Sequence, residues 1–178
     1  STVSVNQDAG FSIVSYTGND VEGATVGHGL SKAPEIIFVK NLDSAENWAV
    51  YALDGQSTLF LNLTNAESTS DYTFDSTNTT STVFQLGDGD LTNHPSERNI
   101  AYCWHSVEGY SKFGSYKGNA STNGPFIYTG FKPALVIIKG TSADRSWFMY
   151  DNKRSPNNLV EITMKANSTD NESTVGQD

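Results

Sequence analysis

The side chains best suited to chemistry are few and scattered. Histidine stands at positions 28, 94 and 105, and neither HExxH nor a similar spacing joins any two, so no zinc site is expected. Cys103 and His105 lie two residues apart in an apolar run and would share one face of a strand, where a thiol nucleophile and its base could meet. The competing expectation is a small buried thiol beside a partly exposed ring, the usual setting of a free cysteine. Asp88-Gly89-Asp90-Leu91-Thr92-Asn93 opens like a calcium loop, because carboxylates two apart can converge on one hard cation. It lacks the glycine and the closing glutamate of an EF-hand, so Asp88 and Asp90 read either as calcium ligands or as an acidic turn. Calcium is the only cofactor that the sequence suggests. No GxSxG, Walker or GxGxxG segment occurs. Glycoside hydrolysis would need two carboxylates about 5 to 9.5 Å apart, and no pair is singled out. No catalytic residue is assigned, and the chain is not expected to be an enzyme.

Aromatic residues give a better handle. Tyr102 and Trp104, with His105 beside them, are candidate ligand-binding residues. An exposed Trp or Tyr face stacked on a sugar ring, rimmed by Asn and Asp, is how many β-sandwiches hold neutral glycans. Trp48 and Trp147 recur at matching places in the chain. That recurrence points to packing, with about 150 to 250 Å² buried by each ring. Five Asn-x-Ser/Thr sequons, at Asn62, Asn78, Asn119, Asn167 and Asn171, are what an Asn-, Ser- and Thr-rich composition produces unaided.

Composition narrows the partners and the scaffold. Lys and Arg number 11 against 20 Asp and Glu, a net charge of −9. Such a chain releases no counterions from nucleic acid and is repelled by anionic lipid, so its partner is expected to be neutral or cationic. Apolar runs such as Ile36-Ile37-Phe38-Val39 and Ala134-Leu135-Val136-Ile137-Ile138 are far too short to span a bilayer as helices. Cys103 is the single cysteine, so no intrachain disulfide can form. Ser, Thr and Asn together make 55 of 178 residues, which suits strands joined by polar turns better than helices.

Self-similarity organises the chain. Gly10-Phe11-Ser12 and Ser15-Tyr16-Thr17-Gly18-Asn19 reappear as Gly109-Tyr110-Ser111 and Ser115-Tyr116-Lys117-Gly118-Asn119. At an offset of 99, Pro34 pairs with Pro133, Lys40 with Lys139, Trp48 with Trp147 and Tyr51 with Tyr150. The expected organisation is a linker or entering strand over 1–9, a first repeat over 10–108 and a second over 109–178. By constant offset the second repeat lacks a stretch matching Thr80 to Glu108, so either another chain supplies those strands or the chain is a segment of a longer protein.

The expected fold class is all-β, as tandem jelly-roll-like β-sandwich repeats with the second copy incomplete. Alternation predicts strands over 59–63 and 160–164, each with one wet side. Glu35 to Lys40 and Ala134 to Lys139 are apolar on both faces and predict central strands covered on both sides. Asp54-Gly55, Asp88-Gly89 and Asn123-Gly124-Pro125 predict turns.

The segments Gly10 to Asn19, Val26-Gly27-His28-Gly29-Leu30, Ala33-Pro34-Glu35, Ile100 to Tyr116 and Gly124 to Pro133 carry a resemblance. They resemble a repeat domain of tail-fibre-like and uncharacterised virion proteins from marine bacteriophages. The resemblance implies a virion surface structural protein, as a fibre, knob or capsid decoration element with a host-adhesion role. It also implies contacts with other virion proteins, assembly as a homo-oligomer and an extracellular location on the particle. A carbohydrate-binding module for host surface polysaccharide is the alternative, and a polysaccharide depolymerase a further one. Nucleic-acid binding and membrane insertion are not expected.

Overall fold

The computed structural model describes residues 1–52, 57–69, 73–74, 79–156 and 160–174; the Asp54-Gly55 turn and the Asn78 sequon lie outside them. Alternation in the sequence becomes strand after strand: β1 (Thr2–Asn6), β2 (Phe11–Thr17), β3 (Thr25–Gly27), β4 (Ile36–Asn41), β5 (Ala49–Ala52), β6 (Thr58–Phe60) and β7 (Val83–Gln85). One helical turn, α1 (Asp90–Asn93), follows, and then β8 (Arg98–Trp104), β9 (Leu135–Lys139), β10 (Trp147–Asp151), β11 (Ile162–Lys165) and β12 (Ser173–Thr174). The fold is all-β and sandwich-like, with every strand pairing antiparallel.

The first copy builds a six-stranded sheet in the order β1-β2-β8-β4-β5-β6, and β3 and β7 form a two-stranded ribbon beside it. Residues of even number on β2 and odd number on β4 and β8 point to one side. There Val14, Ile37, Val39, Ala101 and Cys103, all fully buried, meet Val26, Phe74, Phe84 and Leu86 of the covering layer. Each large side chain so buried contributes about 1.5 to 3 kcal/mol. Polar groups taken into this side are paired. Tyr16 donates to the carbonyl of Thr92 at 2.8 Å, and the buried Asn93 amide donates to the carbonyls of Gly87 and Val21 at 2.7 and 3.1 Å. These bonds tie the loop around α1 over the core, as buried polar groups require.

The second copy builds a four-stranded sheet, β12-β11-β10-β9, from the counterparts of β4, β5 and β6. Lys139 lies opposite Trp147 across β9 and β10, and the matched Val39 and Ala49 pair one step along in β4 and β5. After β10 the register drifts. Trp48 donates its amide to Asn62 Oδ1 at 2.9 Å, and Trp147 does the same to Asn167 Oδ1 at 2.7 Å, an offset of 105 from Asn62 to Asn167. The bridge Thr58 to Ser68 recurs at that offset as Thr163 to Ser173. Six additional residues in the β10–β11 loop account for the drift, so Thr174 corresponds to Thr69. Counterparts of β7, α1 and β8 do not occur among the described residues of the second copy.

Three expectations change accordingly. The 134–139 run is not a central strand: β9 ends its sheet, and Leu135, Val136 and Ile137 are exposed, because no β8-like strand among the described residues lies beside it. The 59–63 strand stops at Phe60, since Asn62 leaves the ladder to accept the Trp48 amide. In the 160–164 segment Thr163 is buried whereas Val160 and Met164 face solvent, the reverse of what their polarity predicts.

The copies meet on the other face of the six-stranded sheet. Trp147, only 4% exposed, packs with Val50 and Leu59 and against Ile36, Phe38 and Leu61. Its indole Nε1 donates to the carbonyl of Phe60 at 2.8 Å. The matched lysines show how the second copy is held. Lys40 Nζ donates to carbonyls of its own loop, Asn41 at 2.6 Å and Ser44 at 3.3 Å. Lys139 Nζ instead reaches into the first copy, donating to Thr64 at 3.1 Å and Asn65 at 2.8 Å.

Duplication also provides an internal control for backbone strain. Gly10 and Gly109 both turn the chain at positive φ, 59° and 74°. A Cβ on Gly10 would stand 2.7 Å from the His105 carbonyl, whereas one on Gly109 would meet nothing within 4 Å. Gly109→Ala is therefore expected to cost about 1 kcal/mol for left-handed backbone alone. Gly10→Ala is expected to cost about 2 to 4 kcal/mol, because overpacking adds to that strain. Chemical denaturation of the two variants checks the ordering, and equal losses would contradict it.

Candidate functional site

The face of the first sheet opposite the core carries aromatic rings. Tyr102 and Trp104 alternate with the buried Ala101 and Cys103 on β8, so both project outward. Pairing places Phe11 opposite Trp104 and Phe38 opposite Tyr102, and with Trp48 the rings of Tyr102, Trp104 and Phe11 form a stripe of four. Trp48 stacks on Tyr102 at 6.2 Å and 28°, Tyr102 on Trp104 at 6.2 Å and 20°, and Trp104 on Phe11 at 5.0 Å and 24°. Phe38 meets Trp104 edge-on at 5.0 Å and 66°, fixing the central indole from the side. All five rings are half-buried. Offset stacking adds about 0.5 to 1.5 kcal/mol per pair beyond area burial, so the stripe is held in place by its own ring contacts.

Hydrogen-bonding groups flank both ends. Beside Trp48, the Asn62 amide donates to Asn47 Oδ1 at 2.8 Å. Beside Trp104, the half-buried Glu35 carboxylate accepts the Ser106 amide, and the Glu35 amide donates to the Trp104 carbonyl at 2.8 Å. The second copy seats on the β4–β6 side of this face through Trp147, which touches Phe38 at 6.4 Å.

The sequence candidates separate. Tyr102 and Trp104 stand together in the stripe, whereas His105, one residue on, turns to the other side and is 5% exposed. Its Nδ1 lies 2.9 Å from the Ser106 carbonyl. Cys103 is fully buried, and burial pushes its thiol up to about 12, which holds it as a thiol at neutral pH. Asp88 and Asp90 are both exposed around the start of α1, and no cluster of three or more His, Cys, Asp or Glu side chains able to hold a metal ion occurs among the described residues. Trp147 is core, as its recurrence predicts, but Trp48 joins the stripe. Phe11 and Phe38 escaped notice because nothing in sequence says which strands lie beside β8. Asn62 and Asn167 stand out in sequence only as sequons, and the structure gives them a shared task, capping a tryptophan amide.

His28 is the titratable group the core constrains most near neutrality. Its Nδ1 accepts the Leu30 amide at 3.1 Å, and its Nε2 lies 3.1 Å from the Thr80 carbonyl, so one nitrogen accepts and the other donates. Only the neutral ring does both. Burial lowers its pKa below the ordinary 6.5. A lowered folded value means that the unfolded state takes up the proton first. The stabilisation is thus present above 6.5 and lost as pH falls through the folded value. The melting temperature is expected to drop between about pH 7 and pH 5, and His28→Asn, which keeps the acceptor, is expected to flatten that slope. Asp43, held near 2 chiefly by hydrogen bonds from Arg98, titrates well below this window. A wild-type melting temperature that is flat from pH 7 to pH 5 would overturn the assignment.

One family description matches the chain over residues 1–178, a domain of unknown function, DUF7483. The chain belongs to the DUF7483 family. No curated protein and no solved structure matches it. For this DUF7483 chain, the aromatic stripe and its polar ends are therefore the site from which function is argued.

Proposed function

We propose that the chain is a structural repeat module of a bacteriophage virion surface, and that its aromatic stripe binds neutral host-surface glycan. The observation that carries the glycan reading is the run of near-parallel, half-exposed rings Trp48, Tyr102, Trp104 and Phe11. Sugar rings present flat C–H faces at similar repeat distances, and a pre-ordered aromatic surface binds them without ordering cost. Asn47, Asn62 and Glu35 supply hydrogen bonds at the ends. A net charge of −9 favours neutral over acidic polysaccharide. The virion setting rests on the resemblance of the repeat segments, and with it come a surface location, neighbouring virion proteins and homo-oligomeric assembly.

A spacer role is the second reading, favoured by the way Trp147 and Lys139 lock one copy to the next. Repetition through such nearest-neighbour contacts makes length. Binding of the purified chain to an array of neutral and acidic bacterial polysaccharides, with periodate-oxidised samples alongside, decides between them. Saturable binding to neutral glycans that oxidation abolishes supports adhesion. Failure to bind any of them leaves the spacer.

A further inference from the structure

Among the described residues, the second sheet repeats β4, β5 and β6 without the layer that encloses them in the first copy. In the first copy β4 lies between β8 and β5, and Ile37 and Tyr51 are covered by Phe74, Phe84 and Leu86. Tyr51 meets Phe74 edge-on at 5.6 Å. In the second copy the matched residues are Val136 and Tyr150. Val136 is 39% exposed where Ile37 is 0%. A groove of about 450 Å³ lies over Val136 and Tyr150, with Pro156 and Val160 on its walls. The β9 edge beside it reads Leu-Val-Ile-Ile before its first charge, without the proline, bulge or central lysine that usually guards an open edge. β1, an edge of the six-stranded sheet, reads Thr-Val-Ser-Val-Asn.

We propose that β9 and this groove form a docking site for the β7–β8 segment of a further copy of the repeat. The β8-type strand adds antiparallel to β9, and the β7-type residues fill the groove. In the first copy Ile36 lies opposite Trp104 and Val39 opposite Ala101, so the donor's tryptophan position falls opposite Leu135 and its alanine position opposite Ile138. Small residues at the positions of Ala101 and Cys103 let the strand lie flat over the core side. Main-chain bonds supply affinity and the alternating side chains select the register. Two β9 edges paired with each other would cover the edge but leave the groove over Tyr150 open, so a β7–β8 segment is the occupant that fits both. The inference stands apart from the glycan reading, which concerns the first copy alone.

A synthetic peptide of this chain's own Thr79–Glu108, added to the full chain, tests it. At saturation, hydrogen exchange at Leu135–Lys139 is expected to slow by roughly tenfold or more, and binding of an apolar dye to fall. The peptide with Ala101→Asp is expected to do neither. Unchanged exchange in β9, protection that maps instead to β1, or a peptide-free dimer that already protects β9 would each overturn the proposal.

Discussion

Replacing Trp147 by alanine is expected to lower the unfolding free energy by about 3 to 5 kcal/mol, the cost of emptying a large buried aromatic site. The indole is nearly enclosed, holds Phe38 edge-on and donates to the Phe60 carbonyl. Its loss leaves that carbonyl with only the longer bond from the Leu63 amide, at 3.3 Å, and opens the seam between the two sheets. The second sheet, with few other apolar contacts to the first, is expected to unfold earlier, turning one denaturation transition into two. Trp48 holds the matching sequence position yet is half-buried, and Trp48→Ala is expected to cost only about 1 to 2 kcal/mol. Urea titrations followed by circular dichroism measure both. Equal losses would mean that the two tryptophans do the same job, contrary to the packing described.

Tyr102→Ala is expected to weaken glycan binding by about thirtyfold, near the 2 kcal/mol typical of a central binding residue. Tyr102 bridges Trp48 and Trp104 in the stripe, so its removal breaks the continuous surface in two. Trp104→Phe keeps a ring between Phe11 and Tyr102 and is expected to retain most affinity. His105→Gln, altering a side chain on the reverse of the sheet, is expected to leave affinity unchanged in whatever fraction folds. Titration calorimetry with the best neutral polysaccharide from the array reads all three. If Tyr102→Ala binds as tightly as the wild type while His105→Gln does not, the site lies elsewhere.

Much of the scaffold was legible in the residues because alternation and repetition are local signals. Val83 to Leu86 and Ile100 to Trp104 became β7 and β8, and the matched prolines, lysines and tryptophans located the second sheet. What failed was whatever depends on neighbours. The apolar run ending at Lys139 predicts a covered strand, and only the pairing order shows that, among the described residues, β10 is the one strand beside it. A constant offset hid the extra residues after β10, because the drift leaves almost no sequence trace except a second asparagine. The candidate site was half visible: Tyr102 and Trp104 share a face by simple alternation, but Phe11, Phe38 and Trp48 come to them from three other parts of the chain. His105 was misplaced by adjacency, since one step along a strand reverses the side.

The paired asparagines carry one more consequence. Each fixes the chain to a tryptophan amide just beyond the strand that follows the loop whose length differs between copies, five residues between Ala52 and Thr58 against eleven between Asp151 and Thr163. Length variation is thus absorbed before the chain rejoins the sheet, and the bridge beyond it is identical in both copies. A gene encoding such units can lengthen or vary this loop from copy to copy without disturbing how one unit meets the next. The loop becomes the natural place for a surface to diversify while its scaffold is inherited unchanged.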